Sequence, residues 1–165
     1  MPRIDIPAGE GPEATRAMAL APHFVEAINA KEKAVWQSPL PRRLHELVRM
    51  RVAEINGCVL CMQWRNDWAD EDSLAAVSQY ATSDLYSEAE RTAIEYAERF
   101  STDSANIDDD LMGRLNAQFT PAEIVDMTLV IGKYVAMGRF MQVLDLDQAC
   151  NISYDADGKL VMAAG

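Results

Sequence analysis

The 165-residue chain is short of positive charge, of cysteine and of long apolar runs, and each shortage removes a class of function. Fifteen lysines and arginines stand against 26 aspartates and glutamates, a net charge of −11. Such a surface repels phosphate backbones, so nucleic acid is not expected as a partner, and anionic membrane surfaces are disfavoured for the same reason. No stretch approaches the roughly 18 uninterrupted apolar residues of a membrane span. The opening MPRIDIPAGEGPEAT has no apolar core of the signal-peptide kind, and the expected location is cytoplasmic. Three cysteines, Cys58, Cys61 and Cys150, are too few, and odd in number, for a secreted disulfide framework. With His23 and His45 they offer no finger-like zinc spacing, so neither a metal nor another cofactor is expected.

What is present is enough for one domain. About half the residues are apolar, which argues against disorder, and the length suffices to bury a core without metals or disulfides. Residues 1–12, rich in proline and glycine, read as an extended arm. A helical pattern follows from Pro22 to Gln37 and stops at Ser38-Pro39-Leu40-Pro41, because proline lacks the N–H and restrains its predecessor. Further helices are predicted over about 42–55, 58–69, 73–80, 88–100, 107–116 and 121–144. Ser87-Glu88-Ala89-Glu90 and Thr120-Pro121-Ala122-Glu123 are capping boxes that fix two of these starts. The last helix is apolar on more than one side, as a central or interface helix is. The tail, 145–165, reads as irregular, with a β-like turn at Asp155-Ala156-Asp157-Gly158. Strand alternation and internal repeats are missing, so the fold class is all-α and the domain runs over 1–165.

The stretch from Pro41 to Asp70 carries the chemistry. In its first helix Leu44, Leu47, Val48, Val52 and Ile55 form a buried stripe, and Glu46 falls on the far side with Arg49, Met50 and Ala53. Such a mixed second face suits a cleft or a subunit contact. Asn56-Gly57 ends the helix, with glycine supplying the left-handed conformation, and the next helix opens with Cys58-Val59-Leu60-Cys61. A helix start offers partial positive charge and unpaired N–H donors, which activate a thiolate. One turn separates the sulfurs, so attack by one and resolution by the other makes a two-step cycle. The helix-start argument favours Cys58 as attacker and Cys61 as resolver. Glu46 is the candidate for moving protons to or from a sulfur. Two alternatives stand beside this: a pair of small core cysteines, or half of a zinc site.

Other residues read more plainly. His45 points about 100° away from Glu46 and is expected at the surface or as a cap. His23 is an early-helix residue. Glu54, one turn before Cys58, is either a second relay or the partner of Arg51. Trp64 and Trp68 read as packing residues, the methionines as core filler, and Cys150 as a bystander thiol.

Glu46, twelve residues, then Cys58-x-x-Cys61, set in L-x-E-L-V-x-x-R-V-A-E-I-N-G-C, resembles the alkylhydroperoxidase D / carboxymuconolactone decarboxylase family. Leu40-Pro41-Arg42, Ser87–Arg91 with Ala97-Glu98, and Phe119–Asp126 with Ile131-Gly132 and Gly138-Arg139 extend the likeness over most of the chain. The resemblance implies an all-helical bundle, assembly into trimers or hexamers, and thiol-based reduction of hydroperoxides recycled by a thiol reductant protein or a small thiol. It also implies a proton relay of a glutamate, two cysteines and a histidine four residues after the second cysteine. Glu46, Cys58 and Cys61 match, but the histidine position is Arg65, which stays charged and cannot shuttle a proton. Arg65 is left to stabilise a thiolate or bind an anion. Family members without the thiol pair imply a different activity, decarboxylation of a carboxylated lactone, in which Arg49 or Arg65 would bind the carboxylate. A third reading is a redox-sensing oligomer with no catalysis.

Overall fold

The computed structural model describes residues 2–146 and the backbone of 152–154 and 160–162. The helices are α1 (Glu13–Met18), α2 (Pro22–Trp36), α3 (Arg42–Ile55), α4 (Val59–Gln63), α5 (Glu71–Ala75), α6 (Glu88–Asp103), α7 (Asp109–Gln118) and α8 (Pro121–Val143). Single 3-10 turns lie at Val77–Gln79 and Ser104–Asn106. An antiparallel pair, β1 (Ile152–Tyr154) and β2 (Leu160–Met162), with Ser153 opposite Val161, departs from the expectation of a strandless tail. The turn expected at 155–158 lies outside the described residues, as does Cys150. Among the described residues no helix is long and apolar enough to cross a membrane.

The helix α3 is buried on both sides, which its single apolar stripe does not suggest. Leu44, Val48 and Val52 join Ala93 and Ala97 of α6, Leu111 and Leu115 of α7, and Met127 and Ile131 of α8. On the other side Leu47 and Met50 pack with Leu74, Val77, Tyr86 and Ile94. The segment from α4 to Tyr86 therefore covers the face expected to border a cleft. Nine of the fourteen α3 residues are buried, including His45, Glu46 and Arg49.

Helix boundaries follow local chemistry. Ser87 and Thr120 make both halves of their capping boxes with Glu90 and Glu123, as the sequence predicts. Asp70 and Asp108 cap α5 and α7 by accepting from the N–H of Ser73 and Leu111. The arm lies against the end of α8: the Arg3 N–H donates to the Leu144 carbonyl at 2.9 Å, and Ile6 packs beside Ala17, Met141 and Leu146. On α8, Val125 and Leu129 remain 60% and 62% exposed, an apolar face left outside the core.

Two features set the position of the cysteine turn. Gly57 (φ +60°) closes α3 in a Schellman arrangement, with the Cys58 N–H donating to Ala53 O and the Gly57 N–H to Glu54 O. Asn56 then reaches across to α8, donating from Nδ2 to the Tyr134 carbonyl at 3.1 Å. Gly138 permits that approach, because a Cβ there would collide with the Asn56 side chain. Gly138→Val should therefore displace Asn56 and lower stability by about 1–3 kcal/mol, read as a fall in Tm, whereas an unchanged Tm would contradict this packing.

Candidate active site: a cysteine pair tied to a buried carboxylate

Cys58 is the N-cap of α4, in an extended conformation, and its Sγ accepts from the Cys61 N–H at 3.2 Å. The two sulfurs are joined, with S–S 2.10 Å and Cα–Cα 5.2 Å. Cys58 is fully buried and Cys61 half-buried, so solvent reaches the pair from the Cys61 side.

The cysteine helix is far shorter than the 58–69 expected. It stops at Gln63 because Trp64 turns extended, with ψ 136°. Helix ends leave carbonyls without partners, and here side chains supply the donors. Arg49, from α3, donates from Nη1 to Cys61 O at 2.6 Å and from Nη2 to Trp64 O at 3.0 Å. Arg65 donates to the carbonyls of Met62 and Trp64.

Glu46 is wholly buried at the base of this turn. Its Oε2 accepts from Arg49 Nε at 2.9 Å and from Asn66 Nδ2 at 2.8 Å, and its Oε1 accepts from Arg49 Nη2 at 2.6 Å. Both carboxylate oxygens are thus engaged, and the connection to the cysteines runs through Arg49. A charged pair this deep holds only while both partners are present; removing one typically costs about 3–5 kcal/mol.

The remaining candidates separate from this centre. Arg65 turns outward and grips Glu71 with a pair of short bonds, its Nη2 2.8 Å from Oε1, which holds the guanidinium still more firmly protonated. Arg49, proposed as a carboxylate binder, has four donor contacts inside the protein. Glu54 pairs with Arg51 at 2.8 Å, and Arg51 also reaches Glu98 at 2.7 Å. Trp68 stacks edge-on to Trp36, centroids 4.9 Å apart, and the Arg42 guanidinium lies over the Trp68 ring, 4.8 Å from its centroid. His23 lies exposed beside Phe24. Among the described residues no cluster of three or more His, Cys, Asp or Glu side chains is arranged to hold a metal.

His45 corrects the expectation of a surface or capping role. It is buried, with Nε2 2.9 Å from the Tyr134 hydroxyl and its ring edge-on to Trp68. The second buried face of α3 is the reason. Burial pushes its pKa from 6.5 to about 4, against the pull of Glu46 and with help from Lys133 and Arg49.

Asn66 was missed: nothing in its sequence context marks it. Arg49 carried a usable signal, since an acid and a base three apart on a helix share a face.

Residues 22–99 match the model of the carboxymuconolactone decarboxylase family, a span that holds Glu46, Arg49 and both cysteines of the pair. Over that span the chain matches the family. The uncharacterised protein YnjA of Escherichia coli K12 is 33% identical over 115 residues, 67% of this chain and 63% of its own length. This chain therefore spans under two thirds of that relative. Among solved structures, Atu0492 of Agrobacterium tumefaciens, a protein of unknown function proposed as the antioxidant defence protein AhpD, superposes with TM-score 0.71. It shares 26% identity, over 86% of this chain and all of that one. The debrominase Bmp8, solved with 2,3,4-tribromopyrrole, superposes with TM-score 0.72 over 86% of this chain and 79% of its own. At 20% identity it bears on the fold alone. The fold is thus AhpD-like and helical, and proteins of this fold include an enzyme.

His45 gives a pH dependence of known sign. Above pH about 6.5 the ring is neutral folded and unfolded; between about 6.5 and 4 only the unfolded chain takes up the proton, so stability falls as pH drops. His45→Gln should flatten that part of the Tm-against-pH curve, and an unaltered slope would contradict the burial.

Proposed function

We propose that the chain is a dithiol oxidoreductase that reduces hydroperoxides through Cys58 and Cys61. The observation that carries this reading is the Cys58–Cys61 disulfide at an N-cap, buried on one side and open on the other. The match to the family and the likeness to a proposed antioxidant defence protein support it.

In the cycle the Cys61 thiolate attacks the outer oxygen of a hydroperoxide. The O–O bond breaks, a sulfenic acid forms on Cys61, and the departing alkoxide takes a proton from water to leave as the alcohol. Cys58 then attacks the sulfenic sulfur, hydroxide departs as water with one more proton, and the S–S bond closes. Two electrons return from a thiol reductant protein or two small thiols, attacking Cys61 and expelling the Cys58 thiolate, whose sulfur accepts the Cys61 N–H. The burial of Cys58 is the reason to reverse the order that helix-start reasoning favours.

The family's relay does not carry over at position 65, because Arg65 lies outward on Glu71. Water at the half-buried Cys61 takes its place as proton source, and Glu46, with both oxygens bonded to Arg49 and Asn66, reaches the pair only through Arg49. The exposed Val125 and Leu129 of α8 suit contact with a second copy, in keeping with a trimer or hexamer. A lactone decarboxylase would need Arg49 or Arg65 free for a carboxylate, and both are engaged. A cytoplasmic, reducing setting suits a pair that must be recycled.

Cys61→Ser should reduce hydroperoxide consumption to the uncatalysed rate, and Cys58→Ser, in the absence of added thiol, should consume a single equivalent and stop, with a sulfenic acid trapped by dimedone on Cys61. Turnover equal to wild type in either variant would overturn the reading. Sizing the reduced and oxidised protein should give the same assembly for both; a change of state would favour a sensor.

A further inference from the structure

We propose that Arg49 is the positioning residue of the cysteine pair: it holds the turn so that Cys58 and Cys61 meet, and Glu46 acts by holding Arg49. This assignment rests on the dithiol reading above and names which side chain makes that chemistry fast.

The geometry separates positioning from direct action on sulfur. From α3, one helix away from the pair, the Arg49 guanidinium bridges the Cys61 and Trp64 carbonyls at 2.6 and 3.0 Å. These belong to the last turn of a helix only five residues long, whose own N–H groups cannot satisfy them. A turn so short does not persist unaided. Glu46 orients the planar fork through Nε and Nη2 with two bonds, and Asn66, from the loop after the turn, closes onto the same carboxylate. The result is one continuous chain of hydrogen bonds from α3 through the guanidinium to the Cys61 and Trp64 carbonyls and through the carboxylate to the Asn66 side chain. Only an arginine has donors spread widely enough to span Glu46 and both carbonyls; a lysine ammonium is a point charge.

The consequence is specific. Arg49 sets the effective concentration of one sulfur toward the other in the reduced and sulfenic forms, not the acidity of either thiol. If it acted as a charge beside a thiolate, its loss would raise a thiol pKa and lysine would restore it.

The test is thiol–disulfide exchange of the full chain with a glutathione redox buffer, which yields the effective molarity of the pair without any peroxide. Thiol pKa values are read in parallel from thiolate absorbance against pH. Arg49→Met should lower the effective molarity about tenfold, the worth of a charge-assisted hydrogen bond, with the thiol pKa values unchanged, and Arg49→Lys should not restore it. The double variant Glu46→Gln with Arg49→Met removes the buried charges together, so it is spared the unpaired buried carboxylate of the single variant, and should show the same loss. Unchanged effective molarity in the double variant, or a raised thiol pKa rescued by lysine, would overturn the assignment. A wild-type pair that closes in glutathione but leaves hydroperoxide untouched would remove the peroxidase reading and leave Arg49 in place. A wild-type pair that never closes would overturn both.

Discussion

A carboxylate and a guanidinium sealed inside a helical protein need their remaining donors and acceptors filled, because desolvated charge is costly. Glu46 and Arg49 take theirs from the cysteine turn: two main-chain carbonyls accept from Arg49, and the Asn66 amide donates to Glu46. The charge pair therefore does more than stabilise α3. It requires the segment after Cys58 to fold back over the helix, and it leaves the cysteine helix a single short turn. The geometry of the cysteine turn and the satisfaction of a buried ion pair are the same arrangement.

That arrangement is possible because α3 is covered on both sides. One face belongs to the core shared with α6, α7 and α8, and the other lies under the segment from α4 to Tyr86. Asn56, pinned to the α8 backbone over Gly138, fixes where α3 ends. Gly57 then turns the chain so that Cys58 enters the interior and Cys61 faces out. The asymmetry between the two sulfurs follows from where a helix stops. In the proposed cycle it gives an outside thiol one sulfur to attack and leaves the other as a shielded leaving group.

Much of this was legible in the sequence, for physical reasons that differ from element to element. Capping boxes at Ser87 and Thr120 involve only residues three apart, and they formed as read. The stop at Asn56-Gly57 and the joining of Cys58 to Cys61 are equally local. Helical periodicity and the missing strand alternation already point to an all-helical architecture, and the family likeness points the same way. What the sequence concealed was non-local. Periodicity marks one apolar face of α3, but a second face made of His45, Glu46, Arg49 and Met50 looks like a mixed surface until another segment lies across it. His45 was misplaced for that reason. The helix after Cys61 was overextended because nothing in Trp64–Ala69 forbids helix; it ends where Arg49 and Arg65 take its carbonyls. Arg65 holds the sequence position of a relay histidine, yet its length lets it pair with Glu71 while it donates to the Met62 and Trp64 carbonyls.

The central claim is that Cys58 and Cys61 are a working redox pair, and the most direct measurement of it is mass-resolved alkylation of the wild-type chain before and after one equivalent of hydroperoxide. The account predicts that both thiols are alkylated in the reduced protein and that both are lost together after peroxide. They should reappear as a peptide lighter by two hydrogens and return on treatment with a dithiol. Cys58 and Cys61 that remain alkylatable after peroxide is consumed, or a reaction confined to Cys150, would contradict it.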